Sequence, residues 1–179
     1  MTDEQAVLRC QDGDREAFHH LVERYQDLLY RTAMLMTGSR ALAEELVQGA
    51  LRSAWRGIHG FQHGCPVKPW LMRYLAREGV SQRRRRPTAG VVPAGPGQPD
   101  DSDESRHERQ EMRQALAGLD ADQRHLLVLH YFADLTVPQL AKALDAGEDT
   151  VNTRLGRALG QLREGLEAQG AQEVANDGS

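Results

Sequence analysis

The chain alternates apolar and polar positions with the period of α-helices throughout. From Asp14, a residue type suited to capping, Phe18, Leu21, Val22, Tyr25, Leu28, Leu29, Thr32 and Leu35 recur at the three-and-four spacing of one helix face, and Gly38 closes that segment. A second helix is predicted from Ser39. It lays Leu42, Leu46, Val47, Ala50, Leu51, Ala54, Trp55 and Ile58 on one stripe, with Glu44, Glu45, Gln48 and Arg52 beside or opposite it. Gly57 and Gly60 then loosen the chain. After the stretch from Gln62 to Pro69, a third helix carries Trp70, Leu71, Tyr74 and Leu75 and runs into four consecutive arginines, 83 to 86. A short, less regular segment from Glu4 to Gln11 precedes all three, and the sum predicts a helical bundle.

The back half is helical too, with segments predicted at 106–117, 121–133, 137–144 and 148–167. Asp120-Ala-Asp-Gln123 and Thr136-Val-Pro-Gln139 both have the capping-box form, and Pro138 falls in a first turn, where its missing N–H costs little. Only Asp145-Ala-Gly147 separates the last two segments, which predicts a helix-turn-helix. In the final helix Val151, Leu155, Leu159, Leu162 and Leu166 form the stripe to be buried. Asp149, Thr150, Asn152, Thr153, Arg154 and Arg157 are left to face outward, a short, polar, partly basic set suited to a major groove.

Charge divides the chain in two. The total of 22 Lys plus Arg against 26 Asp plus Glu, net −4, argues against a DNA partner, because backbone binding relies on cations displacing counterions. Residues 1–86, however, hold 14 basic and 10 acidic residues, whereas 87–179 hold 8 and 16, so a basic half is joined to an acidic one. Between them Pro87 to Ser105 contains four of the seven prolines, ends in an acidic cluster and has almost nothing to bury, which predicts a flexible linker. Arg makes up 20 of the 22 basic residues; this fits a GC-rich genome, and Arg also suits phosphate and base-edge contacts. No apolar run approaches a membrane span, the first twenty residues lack a signal-peptide core, and two cysteines make no disulfide framework. A soluble cytoplasmic protein is expected.

Ala43-Glu-Glu-Leu-Val-Gln48, Leu51-Arg-Ser-Ala-Trp-Arg56, Phe61 and Trp70-Leu71 resemble region two of the extracytoplasmic-function group of bacterial RNA polymerase sigma factors. Leu119-Asp-Ala-Asp-Gln-Arg124, Leu127-Val-Leu-His-Tyr-Phe132, Asp134-Leu-Thr136 and Val151 with Arg154-Leu-Gly-Arg-Ala-Leu159 and Leu162-Arg163 resemble region four. The resemblance covers most of the chain except the linker and both tails. It implies an all-α protein of two small domains, region two at 1–86 and region four at 106–168, with a disordered tail at 169–179. Such a protein is not an enzyme and needs no cofactor or metal. Its partners are core RNA polymerase, promoter DNA and an anti-sigma factor.

The resemblance also assigns sites. In the family the second helix of region two docks on the polymerase, which here implies Glu45, Leu46, Gln48, Arg52 and Trp55. The third helix and the loop before it open the minus-ten element, which implies Lys68, Trp70, Arg73, Arg77, Arg83 and Arg84 around an extruded base; core packing is the other reading for Trp70. The last helix reads the minus-thirty-five element, which implies Thr150, Asn152, Thr153, Arg154 and Arg157. An anti-sigma contact is implied near Tyr131, Phe132 and Leu135, where core packing is again the alternative.

Some positions depart from the family pattern. Glu78 replaces a usual Asn and brings a carboxylate expected to repel phosphates, Gln82 replaces an Asp, and Gly79 loosens the helix. In the helix-turn-helix, Asp145 stands for Gly, Ala146 for a larger apolar residue and Asn152 for a frequent Lys, so isolated region four should bind DNA poorly. These departures keep open a sigma-like regulator that binds DNA or protein without supporting initiation. A zinc sensor built on His59, His63 and Cys65 has three ligands and no evident fourth. No enzyme motif is present: glycine-rich phosphate loop, nucleophile elbow and HExxH are all missing from the sequence.

Overall fold

A computed structural model describes residues 1–85 and 103–177, with side chains at 1–85 and 110–171. Among these residues there are eight α-helices and no strand, the all-α class expected: α1 (Asp3–Gln11), α2 (Arg15–Thr37), α3 (Arg40–Arg56), α4 (Val67–Arg85), α5 (Asp103–Ala117), α6 (Ala121–Leu127), α7 (Val137–Leu144) and α8 (Glu148–Asp177). The linker expected at 87–105 lies mostly outside the described residues.

Helix boundaries follow local chemistry. The Asp14 carboxylate accepts the N–H groups of Glu16 and Ala17 at 2.9 and 3.3 Å and starts α2. The Ala17 N–H and then the Arg9 guanidinium hold that carboxyl below its usual range. Gly38, at φ 62°, ends α2 in the left-handed region where a glycine has no Cβ penalty. Thr136 and Gln139 form the full capping box at the start of α7. Asp120 caps α6 by accepting the Gln123 N–H at 2.9 Å, but the return arm is not made, and the Gln123 side-chain oxygen is buried without a partner. Helix α4 begins at Val67, earlier than expected, because Pro69 falls within its first turn. The tail predicted to be disordered instead continues α8 as backbone helix to Asp177, in keeping with its Ala, Gln and Glu content.

The segment predicted as one helix over 121–133 splits. After Leu127 the chain makes a π-helical turn, Val128–Phe132, closed by an N–H from Ala133 to the Val128 carbonyl at 3.0 Å. The extra residue per turn leaves Tyr131 and Phe132 exposed, at 60% and 41%, while Leu129 and Leu135 stay buried. Of the three residues expected at an anti-sigma contact, Leu135 is therefore corrected to core.

In the front half Leu21, Leu29, Met36, Leu46, Ile58, Met72 and Leu75 fill the space between α2, α3 and α4, and α1 adds Val7 and Cys10. Burial pushes the Cys10 thiol up to about 11, so it is protonated and unreactive near neutral pH. The apolar core continues into the back half, because α7 packs across α4, and α6 with the π-turn packs against α2. Three polar contacts cross that boundary: Lys68 to Asp134 at 2.6 Å, Arg83 to Asp122, and the Arg124 Nε–H donating to the Met36 carbonyl at 2.8 Å.

Candidate nucleic-acid interface

Helix α3 presents Gln48 and Arg52 one turn apart on its exposed side. Glu44 is exposed and paired with Arg40 at 3.0 Å, and Glu45 is half-buried. Trp55 is half-buried with its ring edge-to-face against Phe18 at 5.1 Å. Leu46, expected on the polymerase face, is completely buried. It shares the inward stripe with Ala43 and Ala50, so its role is corrected to core packing. The outward set on α3 is thus Glu45, Gln48, Arg52 and the open edge of Trp55.

Helix α4, the loop before it and α7 border a cleft of about 220 Å³ lined by Gly57, Gly60, Phe61, Gln62, Cys65, Trp70, Arg73, Tyr74, Arg77 and Lys142. Three aromatic rings form one wall. Trp70 stands edge-on to Phe61 at 5.3 Å and to Tyr74 at 5.1 Å and is only 4% exposed, so it packs in the core while also lining the cleft. The wall requires Gly57, since a Cβ there would stand 1.9 Å from the Tyr74 hydroxyl. Arg73 and Arg77 bring positive charge to the same opening, and Arg84 is exposed further along. Aromatic faces beside guanidinium groups are suited to a single-stranded base and its phosphate.

Two expected DNA contacts are occupied. Lys68 and Arg83 point to Asp134 and Asp122 of the back half, so in this arrangement they bind protein carboxylates. The departures at 78 and 82 also have structural roles. Glu78 is held by Arg85 at 2.7 Å and lies over Gly49, whose absent side chain leaves room for the carboxylate, so the repulsion expected from it is largely masked. Gln82 is buried and donates to the Leu42 carbonyl at 3.0 Å, tying α4 to α3.

In the helix-turn-helix, Val151, Leu155 and Ala158 are buried, and Thr150, Asn152, Thr153, Arg154 and Arg157 are all exposed along two turns of α8. Asp145 takes the left-handed conformation at φ 52°, which costs a non-glycine residue about 1–2 kcal/mol and confirms the poorer turn fit inferred from sequence. Lys142 and Arg124 were not singled out in the sequence. Lys142 is exposed on α7 opposite the buried Leu140 and Ala143, a pattern that local periodicity contains; Arg124 looks like an ordinary first-turn cation, and only its distant partner Met36 reveals its role. Among the described residues, no group of three His, Cys, Asp or Glu side chains is placed to hold a metal, and no helix is long and apolar enough to cross a membrane.

Comparison with known proteins agrees with this layout. Residues 21–87 match the family described as Sigma-70 region 2, and residues 109–162 match Sigma-70, region 4. The ECF RNA polymerase sigma factor SigL of Mycobacterium tuberculosis is 30% identical over 157 residues, covering 84% of this chain and 89% of SigL. The RNA polymerase sigma factor NccH of Alcaligenes xylosoxydans is 27% identical over 172 residues, covering 89% and 92%. The solved structure of the sigma factor RpoE with the anti-sigma factor NepR from Bartonella quintana aligns with a TM-score of 0.65 at 28% identity, over 84% of this chain and 96% of that one. Two helical units thus match regions 2 and 4 of the sigma-70 family, in that order along the chain. The chain belongs to the extracytoplasmic-function group of sigma-70 RNA polymerase sigma factors. It binds core RNA polymerase and directs it to promoter DNA.

Proposed function

We propose a division of labour among the residues described above. Residues 1–86 act as the polymerase-binding and promoter-melting domain, and residues 106–168 act as the upstream reader. Glu45, Gln48, Arg52 and Trp55 on α3 dock on the core enzyme. The cleft of α4 receives an extruded minus-ten base against Phe61, Trp70 and Tyr74, with Arg73, Arg77 and Arg84 on adjoining phosphates. Thr150, Asn152, Thr153, Arg154 and Arg157 read the minus-thirty-five element from α8, Arg as a bidentate donor to guanine and Asn to adenine. The protein supplies no catalytic step of its own and acts in the cytoplasm, with the polymerase performing the chemistry. An anti-sigma factor is a further partner; the relative solved with NepR and the exposed Tyr131 and Phe132 support it. The observation that carries the reading is the aromatic cleft with two arginines at its mouth, set on the helix next to the exposed face of α3.

Reversing the charge at Arg52 together with Gln48→Ala is expected to weaken core-polymerase binding by tenfold or more, about 1.4 kcal/mol, with helix content unchanged because both side chains are exposed. Competition binding against a labelled sigma factor measures it, and wild-type affinity in the double variant would remove α3 from the interface.

A further inference from the structure

Beside the apolar core they share, the two domains meet through a small set of polar groups, of which Arg124 and His125 are buried. Helix α2 ends with unsatisfied carbonyls and has no basic residue in its last turn. Arg124 of α6 supplies the missing cation from 88 residues away, its Nε–H donating to Met36 O while Nη1 reaches Leu116 O at 3.4 Å. Its neighbour His125 is 8% exposed, with Nδ1 buried and without a partner. The imidazole sits against Gly79 of α4: a Cβ at that glycine would stand 3.3 Å from Nδ1 and 2.9 Å from Met36 Cε. The glycine that looks like a weak point in α4 is therefore the seat of a side chain from the other domain.

This arrangement is incompatible with promoter binding, an argument that rests on the sigma-factor reading above. The minus-ten and minus-thirty-five elements lie about 85 Å apart along B-DNA, at ~3.4 Å per base pair. Helix α7, three residues before the recognition helix, packs directly on α4, and its Lys142 lines the same cleft as Trp70, Arg73 and Arg77. The domains must part for α4 and α8 to reach both elements. The 17 residues between Arg85 and Asp103 can span at most roughly 60 Å at ~3.3–3.6 Å each, and the domains' own breadth supplies the rest.

We propose that this is a closed state of the free factor, that Arg124 and His125 are its latch, and that protonation of His125 releases it. Around the imidazole the charged groups are Arg124 on α6 and Arg83 on α4; Arg83 is paired with Asp122, and Asp120 lies by Arg124. The cations oppose a second positive charge, and only the Met36 backbone of α2 favours one. Burial first, then Arg124 and Arg83, push the imidazole down to about 3 in the closed state. Once exposed it returns to its ordinary value near 6.5. The sign follows: closure holds the ring neutral, so the latch is fully effective above pH 6.5 and weakens as pH falls below it. Between pH 7.5 and 5.5 the opening constant rises about tenfold.

Fluorescence energy transfer in the free full-length chain measures this, with dyes on Glu23→Cys and Gln161→Cys in a Cys65→Ser background; Cys10 is buried. The tenfold rise in the opening constant is expected for the chain with His125, and His125→Gln should give one constant at both pH values. Arg124→Ala on one side and Gly79→Ala on the other should both raise the open fraction at pH 7.5, with helix content checked by circular dichroism. A flat response with His125 present, a full response in His125→Gln carried by the other six histidines, or no opening in either neutral-pH variant overturns the latch. No polymerase is present, so failure here leaves promoter-directed transcription untouched, and failure of transcription leaves this equilibrium measurable.

Discussion

Replacing Arg154 and Arg157 together by alanine is expected to reduce transcription from a cognate promoter by on the order of 10²-fold or more, at ~1–3 kcal/mol of discrimination for each bidentate base contact. Both guanidinium groups are exposed on α8, outside the buried set of Val151, Leu155 and Ala158, so their removal leaves the core of the domain intact. The loss should fall on promoter choice. Core-polymerase binding through α3 should stay at the wild-type level, and the variant should no longer distinguish a promoter with its minus-thirty-five block from one with the block scrambled. Run-off transcription on the two templates reads the ratio directly. If the double variant keeps the wild-type preference, α8 is not the reader.

The second large effect concerns Trp70. Truncation to alanine removes the central ring of the Phe61–Trp70–Tyr74 wall from a site that is 4% exposed, and is expected to destabilise the front domain by about 3–5 kcal/mol, as for other buried Trp or Phe truncations. That is a large share of a typical domain stability of about 5–15 kcal/mol. Urea unfolding followed by circular dichroism gives the value. Trp70→Phe keeps an aromatic wall and should lose far less stability, which lets the functional role be separated from the structural one. With the fold preserved, a defect in promoter melting, seen as lost permanganate reactivity of unpaired thymines, assigns the Trp70 edge to the extruded base. Normal melting in Trp70→Phe would leave Trp70 with core packing alone.

Elements that depend on local pattern were legible in the sequence, and contacts that depend on distant partners were not. The stripe of Val151 and Leu155, the caps at Asp14 and Thr136 and the left-handed Gly38 each involve residues within a few positions of one another, and each stands where the pattern put it. Leu46 lies on the apolar stripe that the periodicity predicts, and its burial beside Ala43 and Ala50 follows that stripe rather than the polymerase face that the resemblance assigns. The π-turn at Val128–Phe132 escaped because one added residue shifts the helical phase without changing composition. Lys68 and Arg83 are expected at DNA and Arg124 has no expected role, because their partners Asp134, Asp122 and Met36 lie dozens of residues away. Glu78 and Gln82 looked like losses of DNA function and instead tie α4 to its own carboxyl-terminal arginine, 7 residues on, and to α3, 40 residues back.

The net charge of −4 that argued against a DNA partner is consistent with a factor that meets DNA only as part of a larger enzyme. Six of the fourteen cations of the front half lie on α4, and two of these are neutralised by carboxylates of the acidic half in the closed arrangement.

The most direct test of the central claim is transcription in vitro with bacterial core polymerase, the purified chain and fragmented genomic DNA from the protein's own source, with all start sites mapped by sequencing. The account predicts starts that require the chain and share two upstream blocks near minus ten and minus thirty-five, the upstream block losing its effect in the Arg154→Ala, Arg157→Ala variant. No chain-dependent starts, together with no complex between the chain and core polymerase, would contradict it.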